Sequence, residues 1–124
     1  MQRDAIHWFE IPVSDIDRAQ HFYETLFALD LRREQMGPQT LAVFPYNGGI
    51  GGALLKSATA PKPSIDGNLV YLNASPSLDA VLSRAGELGA KVLLPKLELP
   101  NDIGFIAQIV DTEGNRIGLH SPAA

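Results

Sequence analysis

The sequence predicts an α+β fold in which two βαβββ modules follow one another and form a curved mixed β-sheet that encloses a cleft. The first observation is a strand pattern followed by a helix pattern, which occurs twice at an offset of about 61 residues. The second is that each half ends in a strand, a turn and a strand. Since neither half could bury its helix and sheet face alone, we expect the halves to close on each other around a concave face.

The first half begins with a predicted strand over residues 5–12, which are rich in β-branched and aromatic side chains and end at Pro12. Ser14 or Asp15 is the predicted cap of the helix that follows. Asp17 lies in the first turn, where a negative charge complements the helix dipole. Apolar side chains then recur at helical spacing and predict one buried stripe, formed by Ile16, Ala19, Phe22, Tyr23 and Leu26.

The second half repeats this order, with a predicted strand over residues 69–74. Ser75 is the predicted helix cap, with Pro76 in the first helical position. Gly89 is the predicted end of the helix. The predicted buried stripe is formed by Leu78, Val81, Leu82, Ala85 and Leu88.

The two tails are "LAVFPYNGGIGGALLK" and "FIAQIVDTEGNRIGLHS", each a strand, a turn and a strand. The glycines of the first tail precede no helix, so they predict a turn rather than a phosphate site. Between the halves, "SATAPKPSIDGN" predicts a proline-containing linker. We therefore expect a single domain over residues 1–124, built of modules at about 1–58 and 67–124.

Composition excludes several classes of protein. The formal net charge is −4 and no basic run occurs, so we expect no nucleic-acid partner. No apolar run approaches the roughly 20 residues of a membrane span, and the N-terminal "MQRDAIHWFE" lacks the apolar core of a signal peptide. The absence of cysteine excludes disulfides and thiolate sites and fits a reducing cytoplasm.

The chain resembles the vicinal oxygen chelate superfamily, the glyoxalase, bleomycin-resistance and dioxygenase group. The resemblance lies in "EIPVSDIDRAQHFYETLFAL", "VYLNA", "LGAKVLLP" and the final "DTEGNRIGLHS", and it covers essentially the whole chain. It implies a glyoxalase-like fold, a small organic ligand in the cleft between the modules, and a homodimer.

The resemblance also implies where metal ligands usually lie, on the first and last strand of each module. These positions fall on Trp8, near Leu69, within "VFPYNGGIGGAL" and on Gly118, and none of them carries a metal donor. We therefore expect no metal and no other cofactor. The alternative is a divalent metal bound by Glu10 and His120 alone, which would be weak because catalytic metals normally use three or more protein donors.

Strand alternation predicts which side chains share the cleft. Trp8 and Glu10 lie on one face of their strand, with His7 on the other. If Glu10 is buried in the cleft, its protonated form is favoured and it becomes a possible general acid or base; at the rim it would be solvated and inert. Tyr71 is the counterpart of Glu10 in the second half, and Asn73 shares its face.

On the last strand, Gly118 and His120 share a face, which the resemblance directs into the cleft. The family often has a carboxylate at the position of Gly118. Because glycine has no side chain, we expect an empty socket there, meaning open space in the cleft above the backbone. His120 is either a rim residue or a base that contacts the ligand. Phe44 is a further expected ligand-binding residue.

Two functions follow as alternatives. The chain is either a lyase or isomerase acting on a small carbonyl compound or thiol adduct, with Glu10 or His120 as the base, or a non-catalytic protein that sequesters a small molecule such as a drug. An aromatic cleft formed by Trp8, Phe44 and Tyr71 would favour sequestration.

Overall fold

The computed structural model describes residues 5–124, so residues 1–4 of the predicted first module lie outside it. The first module contains β1 (Trp8–Pro12), α1 (Ile16–Phe27), β2 (Arg32–Met36), β3 (Gln39–Val43) and β4 (Gly51–Lys56). The second contains β5 (Tyr71–Asn73), α2 (Leu78–Glu87), β6 (Lys91–Leu99), β7 (Gly104–Val110) and β8 (Arg116–Ser121). The predicted fold class, an α+β protein of two βαβββ modules, is confirmed.

Each module forms its own mixed sheet of four strands, in the orders β1-β4-β3-β2 and β5-β8-β7-β6. The first strand of each module pairs in parallel with the last, and the other pairs are antiparallel. The same hydrogen bond follows the first strand of each module, since Val13 donates its N–H to the carbonyl of Leu55 and Ala74 donates to that of His120. These two equivalent bonds reproduce the predicted offset of about 61 residues between the first strands.

The helix α1 begins as predicted, with Asp15 as its cap. The Asp15 carboxylate accepts a hydrogen bond from the Arg18 N–H at 3.0 Å, and all five residues of the predicted stripe are buried. The prediction for α2 was wrong at its start. Its cap is Ser77, which accepts from the Ala80 N–H, because the Asn73 side chain binds the Ser75 N–H and makes residues 73–75 a turn.

Both helices lie on the same side of the sheets, where they pack against each other and share one hydrophobic core. Phe9 and Ile11 of β1 point into this core, and so does Leu72 of β5. Because strand side chains alternate, Trp8, Glu10 and Tyr71 point to the opposite face. None of the helices in residues 5–124 is long and apolar enough to cross a membrane.

The turn at residues 111–115, within the predicted family motif, joins the two modules. The buried Asp111 carboxylate accepts a 2.6 Å hydrogen bond from Tyr23 of α1 and further bonds from the N–H groups of Glu113 and Asn115. The pKa of the Tyr23 hydroxyl is raised well above its usual value. Burial is the largest cause, and the adjacent negative charge of Asp111 is the second. The Asn115 amide donates to the carbonyl of Pro12 at the end of β1.

Glu113 extends this junction to the start of α1. Its carboxylate accepts 2.8 Å bonds from the N–H groups of Ser14 and Asp15 and from the Arg18 guanidinium. Partial burial opposes ionisation, but these bonds and the Thr112 hydroxyl outweigh it and lower the pKa of Glu113 to about 2. The motif that carries the family resemblance is therefore a structural junction between modules.

Candidate functional site

A cleft of about 1010 Å³ lies along the first strands of the two modules. It is lined by β1 and β5, by the segments before these strands, by the linker and by the start of β8. The polar and large apolar residues of this lining include Trp8, Glu10, Lys62, Leu69, Tyr71, Asn73 and Arg116. The volume suits a drug-sized organic molecule.

Trp8 and Glu10 reach the cleft as the strand alternation predicts. The Trp8 indole is 42% exposed, and its N–H donates a 3.3 Å hydrogen bond to the Glu10 carboxylate. Glu10 is exposed, so its carboxylate is solvated rather than enclosed in an apolar pocket. The Glu10 carboxylate therefore lies against the indole of Trp8.

Tyr71 also faces the cleft, but the expected empty socket at Gly118 is wrong. Tyr71 pairs with Gly118 across β5 and β8, and a Cβ on Gly118 would lie 2.5 Å from the Tyr71 ring. The aromatic ring therefore already occupies the space above the glycine. In the first module a non-equivalent pair also brings an aromatic ring close to a glycine, since Trp8 pairs with Gly51 and a Cβ there would lie 3.0 Å from both the indole and the Tyr46 ring. Each glycine allows an aromatic ring to approach the backbone of its sheet closely.

Of the three other expected residues, Asn73 and His7 lie as predicted with respect to the cleft, and His120 does not. Asn73 lines the cleft, although its side-chain oxygen accepts from the Ser75 N–H. The His120 ring nitrogen Nε2 is 2.7 Å from the Ile103 carbonyl oxygen, so this ring is held at the turn between β6 and β7 rather than in the cleft lining. His7 is exposed and outside the lining, as expected.

The expected position of Phe44 is corrected by the structure. Its ring packs in the helix-side core, with its centroid 5.5 Å from that of Phe9 and 5.8 Å from that of Tyr23. Val43 points to the opposite face with Leu41, Ala53 and Leu55. Continued alternation beyond β3 therefore turns Phe44 away from the cleft.

Several residues of the site were missed in the sequence. Lys62 and Asn68 of the linker line the cleft, so this segment is one wall of the site as well as a connection. Gln108 of β7 donates a 2.8 Å hydrogen bond to the Tyr71 hydroxyl. No local pattern indicates these contacts, because they depend on how the linker folds back and how three strands align.

The residues at the usual metal positions do not fit a metal ion. By register, these positions correspond to Trp8, Leu69, Ala53 and Gly118, whose side chains carry no suitable donor. The alternative pair is also unsuitable, because His120 is engaged by Ile103 and lies outside the cleft lining that contains Glu10. Within residues 5–124, no group of three or more histidine, aspartate or glutamate side chains could hold a metal ion.

Comparison with solved structures returns the same fold. An antibiotic binding protein, TnmS3, from Streptomyces sp. CB03234 is 25% identical, with a TM-score of 0.71 over 98% of each chain. A glyoxalase/bleomycin resistance protein from the same organism is also 25% identical, with a TM-score of 0.71 over 94% of this chain and 100% of that one. A glyoxylase/bleomycin resistance protein/dioxygenase domain from Frankia sp. EAN1pec is 20% identical, with a TM-score of 0.71 over 98% and 93%.

Among curated proteins, none matches the sequence significantly. The family model described as Glyoxalase/Bleomycin resistance protein/Dioxygenase superfamily matches residues 5–119, almost the whole chain. The paired βαβββ modules and the cleft between their first strands agree with that match. The chain therefore belongs to the glyoxalase/bleomycin resistance protein/dioxygenase superfamily.

Proposed function

We propose that this protein binds a small, flat organic molecule in the cleft and does so without changing it chemically. The observation that carries the proposal is the pair of cleft aromatics, Trp8 and Tyr71, which are 42% and 40% exposed and whose rings each lie close to a glycine of the neighbouring strand. Exposed aromatic faces in a concave site favour stacking with a flat ligand. The similarity to an antibiotic binding protein supports the same function.

The polar groups also favour binding over catalysis. Glu10 is solvated and accepts the indole N–H, whereas a general acid or base is usually enclosed and directed at its substrate. His120 is engaged outside the cleft lining. Because the usual metal positions lack donors, we propose binding that requires no metal or other cofactor.

The proposal predicts that 9-fluorenone, a neutral flat aromatic ketone, quenches the fluorescence of Trp8, the chain's single tryptophan. Tyr71→Ala retains this reporter but removes one stacking surface, so its affinity should fall roughly tenfold or more. Met36→Ala, which shortens an exposed side chain in the β2–β3 hairpin, is the matched control and should bind as the wild type does. Saturable binding that is equal in all three proteins would place the ligand outside the cleft.

A lyase or isomerase acting on a small carbonyl compound or thiol adduct is the second candidate function, because one carboxylate, that of Glu10, does line the cleft. A base at this position would remove a proton from carbon next to the carbonyl group. Turnover of an aldehyde–thiol adduct by the wild type and its loss in Glu10→Gln would favour this function. Turnover in neither protein, together with fluorenone binding, favours sequestration.

We further propose that the protein is a cytoplasmic homodimer. The dimer is supported by exposed apolar side chains on β6, Val92 and Leu97, which lie outside the cleft lining. The absence of cysteine supports a reducing compartment. Light scattering that gives the mass of one chain at micromolar concentration would contradict the dimer.

A further inference from the structure

We propose that the Tyr71 hydroxyl is an oriented hydrogen-bond donor in the cleft, held by Gln108 and Arg116, and that it selects ligands with an acceptor oxygen or nitrogen. The inference rests on the proposed function of the cleft and adds the polar group by which a ligand is recognised. Gln108 and Arg116 are positioning residues, since they act through Tyr71.

The three side chains lie on neighbouring strands of the second sheet. Gln108 of β7 and Tyr71 of β5 both pair with Gly118 of β8, one on each side of it. The missing side chain at Gly118 lets the tyrosine ring lie across β8 and brings its hydroxyl within 2.8 Å of the Gln108 Nε2 atom. The Gln108 Oε1 atom is 3.2 Å from the Arg116 Nη1 atom.

The direction of these hydrogen bonds follows from the chemistry of arginine. A guanidinium group has donors and no acceptor, so the side of Gln108 that faces Arg116 must be its oxygen. The Gln108 NH₂ group therefore faces Tyr71 and donates to the hydroxyl oxygen. Since that bond uses a lone pair of the oxygen, the phenolic proton remains available to donate elsewhere.

The hydrogen bonds from Arg116 to Gln108 and from Gln108 to Tyr71 form a relay. Its arginine end is held by the linker, and its tyrosine end is exposed. Arg116 also donates from Nε to the carbonyl of Ile65 in the linker at 3.2 Å, which limits movement of the guanidinium. Tyr71 is 40% exposed and lines the cleft, so a ligand that extends from the cleft over β8 can place an acceptor atom beside its hydroxyl. A directed donor beside an aromatic surface is the kind of polar group that sets ligand orientation in an apolar site.

The test uses two neutral flat compounds of nearly the same shape. 9-Fluorenone has a carbonyl acceptor where fluorene has a CH₂ group. The ratio of their affinities therefore measures the contribution of the acceptor to binding. Tyr71→Phe keeps the ring above Gly118 and should lower the preference for fluorenone about threefold to tenfold, the range of one hydrogen bond. Fluorene has no acceptor for the hydroxyl, so its affinity should fall less than that of fluorenone. A preference for fluorenone that is the same in Tyr71→Phe would overturn the proposed donor.

Gln108→Glu tests the direction of the relay. A carboxylate accepts from Arg116 but cannot donate to Tyr71, so the Tyr71 hydroxyl must donate to Glu instead of to the ligand. The variant should therefore lose the preference for fluorenone, as Tyr71→Phe does, and the double variant should be no worse than either one. Independent, additive losses in the double variant would show that Gln108 does not act through Tyr71.

A measurement without ligand separates failure of the relay from failure of the proposed function. In the nuclear magnetic resonance spectrum, the side-chain amide signal of Gln108 should shift in Tyr71→Phe, whereas that of Gln35, which binds the Gly37 carbonyl, should not. An unchanged Gln108 signal would contradict the relay whether or not either compound binds. If the Gln108 signal shifts but neither compound binds the wild type, the proposed function and the selection of acceptors are contradicted. The orientation of the Tyr71 hydroxyl by Gln108 would still stand.

Discussion

Replacing Asp111 with alanine should lower the free energy of unfolding by about 3–5 kcal/mol, because the substitution leaves several buried donors without a partner. The donors are the Tyr23 hydroxyl and the N–H groups of Glu113 and Asn115. Each buried donor without a partner costs roughly 1–3 kcal/mol, and their losses are not fully additive. Urea unfolding at neutral pH, followed by circular dichroism, measures the change.

Asp66→Ala is the matched control for Asp111→Ala, since Asp66 is an exposed aspartate in the linker. Its substitution should change the free energy of unfolding by less than about 0.5 kcal/mol. Tyr23→Phe should lie between the two, because it removes one donor and leaves the others bound to Asp111. Equal stability of Asp111→Ala and Asp66→Ala would show that the turn at residues 111–115 does not join the modules.

Glu113→Gln should destabilise the protein by about 1–3 kcal/mol at pH 7. The pKa of Glu113 is lowered from its usual value of 4.5 to about 2 in the folded protein, so its charged form stabilises the fold. This contribution is complete above pH 4.5 and is lost as the pH falls through about 2. The neutral amide also places an NH₂ group against donors from Arg18 or the helix start, which cannot pair with it.

Unfolding measurements at several pH values between 7 and 2 test this prediction. The stability difference between the wild type and Glu113→Gln should be largest at pH 7 and become smaller below pH 4.5. Glu87→Gln, at an exposed position on α2, is the control and should show little difference at any pH. A difference that is constant from pH 7 to pH 2 would mean that the Glu113 charge does not stabilise the fold.

The sequence was most informative where a local period or a repeat carried the signal. The helical stripe of α1 is buried in full, and the repeat correctly relates the first strands of the two modules. Period-two alternation placed Trp8, Glu10, Tyr71 and Asn73 at the cleft and His7 outside it. The stripe and the alternation depend on residues close together in the chain, and the repeat is a similarity between two segments of the same chain, so a single sequence contains the information.

The errors concern residues whose surroundings come from distant segments. Whether the space above Gly118 is open depends on the register between β5 and β8, which places the Tyr71 ring there. His120 is engaged by a carbonyl of the β6–β7 turn, and the direction of that turn is not encoded locally. Phe44 differs, because alternation from Val43 would have placed it in the core.

The most direct test of ligand binding in this cleft is a crystal structure of the chelator-treated protein with 9-fluorenone. We expect the flat ring system to contact Trp8 or Tyr71 in the cleft between β1 and β5, with its carbonyl oxygen within hydrogen-bond distance of the Tyr71 hydroxyl. Chelation should not reduce occupancy, because the side chains at the usual metal positions have no donors. Binding of the compound outside this cleft would contradict a binding site at Trp8 and Tyr71. Binding that occurs only after a metal ion is restored would contradict metal-independent binding.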